Sequence, residues 1–371
     1  KKLIIKKMIT ISKIKINLDR SIQFLEQIRG TINAGVPQFR DNTSIPIDLF
    51  IQSLRTLNLE IRDYNSYYSD QIQNSISHLI NYNGSINPYQ FGAISSLLRI
   101  IKNELPEYED LGLPDIVRRM TYQPQGLILV TGKTNSGKTT TLNALINDIN
   151  ENQNKKILTL ENPIEFKHHS KKSLIVQKEV GRGKDSLTFS DGVKNSLRED
   201  CDILVIGEIR DRETMEAGIE MAESGHLVIG TLHTKSCAEA IDRMINFYDV
   251  RDQAQIKYLL SSLLKMVVSQ RLLPAPDDKM VLVPEVMVVN NIVSGIIRKD
   301  KISVSEIEDA IQSGSDAGSI GLINSLAQLF VEGKITLDQA KEQIEEKNIE
   351  TLNRTIMQMK IKKQNGGRRG E

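Results

Sequence analysis

Residues 132–139 have the spacing of a phosphate-binding loop, with glycines, a lysine and a hydroxyl residue at the fixed positions of that pattern. The loop follows an apolar run, 127–130, and precedes a run compatible with a helix, 140–149. A strand delivers such a loop, and the backbone N–H groups at the start of the next helix attract an anion. We therefore predict that Lys138 binds the β- and γ-phosphates of ATP and that the Thr139 hydroxyl binds Mg²⁺. The predicted nucleotide-binding residues of this segment are Gly132, Lys133, Thr134, Asn135, Ser136, Gly137, Lys138, Thr139 and Thr140.

Four short apolar runs, separated by stretches long enough to contain a helix, each end at a cluster of polar residues. The runs are residues 127–130, 157–160, 203–206 and 227–229. Apolar runs that alternate with helices are typical of a parallel sheet that is buried on both faces. Ligands bind beyond the carboxyl ends of the strands in open α/β sheets, so we expect the four clusters to meet in one crevice.

Three carboxylates and one histidine in these clusters are candidates for catalysis. Glu208 follows the third run, and we predict that it polarises the attacking water during ATP hydrolysis. Glu161 and Glu165 follow the second run, where they could orient water or hold Mg²⁺ through bound waters, or form an ion pair within the loop. His233 follows the fourth run and could donate a hydrogen bond to the γ-phosphate, although a lone histidine is more often structural.

Other polar residues near the clusters are weaker candidates for catalysis or nucleotide binding. His226 begins the fourth run, at the end of the strand away from the crevice, so we interpret it as structural. Arg198, Arg210 and Arg243 could contact nucleotide across a subunit boundary or form ion pairs within the fold.

Length and composition favour a two-domain globular protein of the cytoplasm. A chain of 371 residues exceeds the usual size of a single core, and its composition of 39% hydrophobic and 26% charged residues is globular. The net charge of +1 gives no reason to expect nucleic acid as a partner. The two cysteines form no CxxC motif, so a reducing compartment fits best. No apolar run reaches the length of a membrane span.

Changes in composition divide the chain into five predicted parts. An acidic stretch punctuated by proline and glycine is typical of an interdomain linker, and a Pro-Ala-Pro break near residue 275 precedes helical periodicity. The parts are an N-terminal domain (1–103), a linker (104–117), an ATPase core (118–272), a C-terminal helical subdomain (273–358) and a basic flexible tail (359–371).

Four motifs, in order within residues 126–330, resemble those of the secretion ATPases of type IV pilus and type II secretion systems, most closely the pilus-retraction branch. The phosphate loop is followed by an acidic box at 160–166, a Walker B segment at 197–211 and a histidine box at 222–234. Together these motifs are far more specific than the phosphate loop alone. The zinc-binding tetracysteine insert of the extension and secretion branch is missing from this sequence, which favours the retraction branch.

The resemblance implies a homo-hexamer at the cytoplasmic face of the inner membrane, held there through its partners. Each subunit would have an N-terminal PAS-like α+β domain, then a RecA-like P-loop ATPase domain with a C-terminal helical subdomain, and ATP would bind between the two domains. It also implies Glu208 as general base, with Glu165 and His233 essential. Members of the family hydrolyse ATP to turn an inner-membrane platform protein of the pilus, which removes pilin from the base of the fibre.

The sequence departs from the family pattern at several positions. Asn135 replaces a loop glycine, but asparagine tolerates left-handed backbone, so the loop can keep its shape. Asn162 replaces an aspartate of the acidic box, and residues 292–299 lack one arginine and the final glutamate of the family's retraction motif. In the N-terminal half only residues 91–114 look similar, and they add Arg99 as a candidate nucleotide contact.

The sequence leaves three other functions open. The first is the assembly motor of the same pilus system or a type II secretion ATPase. The second is a RecA-type nucleic-acid motor, which the fold permits but which the near-neutral charge and the lack of an aromatic-basic stripe argue against. The third is a regulatory nucleotide binder with little turnover, for which Asn162 is the only indication.

Overall fold

The computed structural model describes residues 107–275 and 280–366, which all belong to one compact unit, Leu105–Glu371. The predicted PAS-like domain and Arg99 lie outside the described residues. Within the described ranges, no helix combines the length and the apolar character that crossing a membrane requires.

The described unit is built on one seven-stranded sheet with the order β3-β2-β4-β5-β1-β6-β7. Neighbouring strands from β3 to β6 in this order are parallel, and β7 runs antiparallel to β6. The strands are β1 (Gly126–Gly132), β2 (Lys156–Glu161), β3 (Leu174–Glu179), β4 (Ile203–Ile206), β5 (Leu227–Leu232), β6 (Leu264–Pro274) and β7 (Met280–Val288). The four apolar runs of the sequence are confirmed as strands, namely β1, β2, β4 and β5.

Helices connect the strands and continue after the sheet. In the described residues, three short 3₁₀ helices, Tyr108–Leu111, Gly314–Ala317 and Glu346–Asn348, lie among them. The α-helices are α1 (Asp115–Met120), α2 (Lys138–Asn152), α3 (Phe189–Ser196), α4 (Arg212–Glu223), α5 (Cys237–Asn246), α6 (Val250–Leu263), α7 (Asn291–Ile297), α8 (Val304–Ser313), α9 (Leu322–Val331), α10 (Leu337–Lys341) and α11 (Ile349–Gly366).

Alternate residues of each central strand enter two separate hydrophobic cores, because successive side chains of a strand point to opposite faces. In β1, Leu127 and Leu129 pack with α3–α8 on one face, whereas Ile128 packs with α1 and α2 on the other. Burial on both faces explains why these strands are continuous apolar runs in the sequence. A third core lies between α9–α11 and the edge of β6 and β7.

The sheet extends beyond residue 272, where we predicted the ATPase core to end. β7 pairs with β6 along its length, so the predicted helical subdomain, 273–358, also contributes a strand to the sheet. Pro284 lies in the middle of β7 and would argue against a strand, because proline cannot donate a hydrogen bond to a neighbour. It is tolerated here because β7 is at the edge of the sheet.

The C-terminal helix is also longer than the sequence pattern predicts. Residues 359–366, assigned to the flexible tail 359–371, continue α11 to Gly366. The segment 360–364 contains lysine, isoleucine and glutamine without proline or glycine, and such residues allow a helix that has already begun to propagate.

Asp148 fixes α2, the helix that follows the phosphate loop, to α1. Its carboxylate is almost completely buried and accepts hydrogen bonds from Arg118 Nε at 2.7 Å and from the Tyr122 hydroxyl at 2.7 Å. Arg118 Nη2 also donates to the same carboxylate. The position of α2 therefore depends on a buried charge that is fully hydrogen-bonded.

We predict that Asp148→Ala lowers the free energy of unfolding by about 1–3 kcal/mol, because it removes the acceptor of the hydrogen bonds from Arg118 and Tyr122 and leaves Arg118 with its exposed ion pair to Glu109. The matched control is Glu151→Ala on the same helix, which removes an exposed ion pair to Lys171 and a long hydrogen bond from Asn147 Nδ2 at 3.5 Å. That control should cost less than about 1 kcal/mol. Urea unfolding of the full chain checks both values, and equal losses would contradict the assignment.

Candidate active site

The loop between β1 and α2 has the backbone conformation of a phosphate cradle. Gly132, Asn135 and Gly137 have φ angles of 150°, 63° and 86°. Asn135 thus adopts the left-handed conformation that asparagine tolerates, and the loop keeps its shape without the usual glycine. A Cβ atom on Gly132 would lie 2.3 Å from Ser136 Oγ and 2.5 Å from the Gln270 carbonyl oxygen, so only glycine fits there.

The start of α2 leaves hydrogen-bond donors free for an anion. Its N-cap residue, Gly137, provides no side-chain acceptor, whereas Asp211 caps α4 and Ser236 caps α5 through their side chains. The Ser136 hydroxyl is buried and has no hydrogen-bond partner in the part of the chain that the structure describes. Open N–H groups, a free hydroxyl and a nearby lysine are the donors that bound phosphate needs.

Lys138 lies inside the loop and is nearly buried. Its ammonium group donates hydrogen bonds to the carbonyl oxygens of Gly132 at 2.8 Å and Lys133 at 2.9 Å, and lies 3.4 Å from His233 Nδ1. Burial lowers the pKa of Lys138, and the negative charge of Glu208 opposes this effect. The ammonium group is thus held where it can exchange carbonyl oxygens for phosphate oxygens.

His233 links Lys138 to Glu208. Its Nε2 atom lies 2.8 Å from Glu208 Oε1, and Arg210 Nε lies 2.6 Å from the same oxygen. An ammonium group can only donate, so Nδ1 of the ring accepts from Lys138 and Nε2 carries the proton that is donated to Glu208. Burial first, and then Lys138, lower the pKa of His233, which agrees with this neutral form.

Glu208 is positioned by the backbone on both sides of it. The N–H of Gly207 donates to the Leu160 carbonyl of β2 at 2.8 Å, and that of Ile209 donates to the Thr231 carbonyl of β5 at 2.9 Å. A Cβ atom on Gly207 would lie 2.9 Å from the Leu160 carbonyl oxygen. This close approach explains the glycine at a position where Walker B segments usually have a metal-binding aspartate.

The acidic box presents one buried and one half-buried carboxylate. Glu161 Oε1 accepts from the Thr159 hydroxyl at 2.7 Å and from Gln177 Nε2 at 3.0 Å. Burial, and to a smaller degree Glu165, raise the pKa of Glu161. Within residues 107–275 and 280–366, no group of three or more His, Cys, Asp or Glu side chains is arranged to hold a metal. Thr139 at the start of α2 fits the mode in which Mg²⁺ uses few protein oxygens together with substrate phosphates.

The sequence pattern does not identify Gln177, which contacts the acidic box, or His168, which contacts Gln177. Gln177 lies on β3 directly opposite Thr159 of β2, and His168 is buried in the loop between these strands. The signal that could have found Gln177 is the apolar run 174–176, which is a strand beside β2. The buried environment of His168 depends on tertiary packing and leaves no periodic signal in the sequence.

The remaining candidates occupy different parts of the molecule. Lys133 and Thr134 are exposed on the loop, and Thr140 is half-buried on α2. His226 lies at the opposite end of β5, where its Nδ1 atom is 2.9 Å from Ser224 Oγ. Arg198 is exposed, and Arg243 stacks on Phe247 with 5.7 Å between the guanidinium carbon and the ring centroid. The structure therefore brings Lys138, His233, Glu208 and Arg210 together at one edge of the sheet.

We predict that Lys138→Met raises the pKa of His233, because it removes a cation that opposes ring protonation while burial continues to lower the value. The matched control is Lys133→Met, which changes an exposed lysine of the same loop and should leave the pKa of His233 unchanged. NMR titration of the His233 ring measures both. A fall in the pKa of His233 in Lys138→Met would contradict the arrangement.

Known proteins show clear similarity to this chain. The family model described as type II/IV secretion system protein matches residues 85–366. The type IV pilus retraction ATPase PilT of Pseudomonas aeruginosa is 40% identical over 247 residues, which are 67% of this chain and 71% of that protein. A twitching motility protein of Neisseria gonorrhoeae is 39% identical over 248 residues, which are 67% of this chain and 65% of that protein.

A solved structure of a pilus retraction motor is also similar to this chain. The crystal structure of the pilus retraction motor PilT with bound ADP matches 67% of this chain and 70% of its own, with a TM-score of 0.60 and 38% sequence identity. The family model covers well over half of the chain, including the phosphate loop and the residues that surround it. The chain therefore belongs to the type II/IV secretion system protein family, within which it is a PilT-like secretion ATPase.

Proposed function

We propose that this chain is an ATP-hydrolysing motor that powers retraction of type IV pili. The observation that supports ATP hydrolysis is the chain of contacts from Lys138, in the phosphate loop, through His233 to Glu208. The support for retraction is the similarity to proteins named as a pilus retraction ATPase and a twitching motility protein.

The phosphate loop would hold ATP through its backbone and Lys138. The free N–H groups at the start of α2 and the Ser136 hydroxyl face the anion, and Lys138 exchanges its two carbonyl contacts for β- and γ-phosphate oxygens. The Thr139 hydroxyl would hold Mg²⁺, which when bound neutralises charge on the phosphates. Glu161 is the other candidate for holding the metal, through bound waters.

Glu208 would accept a proton from the attacking water on its carboxylate. Arg210 and His233 both donate to Oε1, so the carboxylate has a fixed orientation beside Lys138. Such orientation matters because phosphoryl transfer is accelerated mainly by positioning and by charge stabilisation. Glu165, in the loop after β2, would add negative charge or orient water. His233 would hold the Glu208 carboxylate in position beside the γ-phosphate.

Membership of the family supports a proposal about the wider assembly. We propose a homo-hexamer at the cytoplasmic face of the inner membrane that acts on a platform protein of the pilus, with Arg99 as a further nucleotide contact. The family description covers type II secretion as well, and residues 292–299 depart from the retraction motif, so the second candidate is an assembly or secretion motor.

We predict that Lys138→Ala abolishes ATP binding, because it removes the cation inside the loop. Glu208→Gln should bind ATP and lose about 10²- to 10⁴-fold in kcat, the usual contribution of a general base. Nucleotide binding by calorimetry and phosphate release measure the two effects. The control is Glu220→Gln, the same chemical change at an exposed position of α4, which should keep full activity. Steady hydrolysis by Glu208→Gln would remove this residue from its role.

We predict that cells without the gene carry surface pili that do not shorten, since loss of a retraction motor leaves assembly intact. Fluorescently labelled pili on living cells provide the measurement. Expression of the wild-type chain should restore shortening, and expression of Glu208→Gln should not. Cells without any surface pili would instead identify an assembly motor, and a salt-sensitive rise in ATPase rate on adding DNA would indicate a nucleic-acid motor.

A further inference from the structure

We propose that His168 is a positioning residue that couples the acidic box to α2, the helix of the phosphate loop. The inference rests on the proposed ATP hydrolysis, because it assigns to His168 the role of keeping Glu161 and Glu165 at a fixed position relative to Thr139. Three hydrogen-bonded links carry it, each between described side chains or backbone groups.

The first link joins His168 to the start of α2. His168 Nε2 lies 2.7 Å from Asn143 Oδ1, and Asn143 Nδ2 donates to the Thr139 carbonyl oxygen at 2.9 Å. Asn143 is one helical turn after Thr139, so its amide is fixed to the turn that carries the predicted Mg²⁺ ligand. The imidazole of His168 is thereby connected to the residue that follows Lys138.

The donor and acceptor roles in this link are determined. A carbonyl oxygen can only accept, so the amide nitrogen of Asn143 faces Thr139 and its oxygen faces the ring. His168 Nε2 therefore carries the proton, and the ring is in its neutral Nε2–H form. Burial first, then His169 and Lys171, lower the pKa of His168 to about 4, so the ring stays neutral at physiological pH.

The second and third links join His168 to the acidic box through Gln177. The backbone N–H of His168 donates to Gln177 Oε1 at 2.8 Å, and Gln177 Nε2 donates to the Phe166 carbonyl at 2.8 Å and to Glu161 Oε1 at 3.0 Å. The Gln177 side chain thus contacts residues on both sides of Glu165. A continuous path runs from Thr139 to the buried carboxylate of Glu161.

The sheet itself gives no short connection between these groups. β2, which ends at Glu161, is separated from β1 by β4 and β5, so the two strand ends are about 14 Å apart at the usual strand spacing. The hydrogen bond between Asn143 of α2 and His168 of the loop after β2 joins these two parts through side chains instead. It therefore couples two parts of the site that the strand order keeps apart.

Burial alone does not explain a histidine at this position. His168 is 7% exposed, and its Nδ1 atom has no hydrogen-bond partner among the described residues. A buried polar atom without a partner lowers stability, so an aromatic hydrocarbon side chain would fill the space at lower cost. The Nε2–H donor is the property that such a side chain lacks, and it is the atom that contacts Asn143.

The test compares His168→Phe, which keeps an aromatic ring without the donor, with His168→Gln, which keeps an N–H donor. We expect His168→Phe to lower kcat about 10- to 100-fold, the usual effect of losing an outer-shell partner, with little change in KM for ATP. His168→Gln should recover most of the activity. Gln177→Leu should show the same loss, and the double variant should lose less than the product of the two, because both act in one path.

A control variant and an NMR measurement of the ring complete the test. The exposed neighbour provides the control, since His169→Phe should keep full kcat. Nitrogen NMR of the His168 ring in the nucleotide-free wild-type chain should show a protonated Nε2 and a bare Nδ1, whether or not any variant folds. A protonated Nδ1, wild-type kcat in His168→Phe, or equal loss of kcat in His168→Phe and His168→Gln would each overturn the inference. A wild-type chain without ATPase activity would instead refute the proposed function, while the NMR result would still test the hydrogen bond.

Discussion

The hydrogen bond between the His233 imidazole and the Glu208 carboxylate, with Lys138 on the other nitrogen of the ring, is the interaction on which the proposed chemistry depends. It exists because β4, β5 and β1 are neighbours in a parallel sheet, so the residues that follow them lie at one edge. A cation for phosphate, a neutral imidazole and a carboxylate for water are thus held next to one another, and groups held in this way favour charge stabilisation during hydrolysis.

Close backbone packing maintains this arrangement. Gly132 and Gly207 lie where a Cβ atom would collide with a neighbouring carbonyl oxygen, so the phosphate loop and the residue before Glu208 both approach the adjacent strand closely. Thr131 adds a third constraint, because its hydroxyl lies 3.0 Å from the Thr234 carbonyl and accepts from the Thr234 N–H at 3.0 Å. Thr234, which follows His233, is therefore fixed to β1, and Leu232, which precedes it, is the last residue of β5.

The sequence predicts the central strands and the site because both have local signals. Doubly buried strands are apolar runs, and the phosphate loop has a fixed spacing, so Lys138, Glu208 and His233 can be identified before the fold is known. β7 is missed because Pro284 is an unfavourable strand residue that only an edge position tolerates. His168 and Gln177 are missed because their roles come from tertiary contacts between β2, β3 and α2, which no periodicity records.

A structure of the chain with Mg²⁺ and a non-hydrolysable ATP analogue would show directly whether Lys138 and Glu208 both face the triphosphate. We expect Lys138 Nζ to leave the two loop carbonyl oxygens and to lie about 3 Å from oxygens of the β- and γ-phosphates. We also expect the Glu208 carboxylate to lie within reach of the γ-phosphorus through one bridging water. A triphosphate bound away from Lys138, or a Glu208 carboxylate that points away from the γ-phosphate, would contradict these expectations.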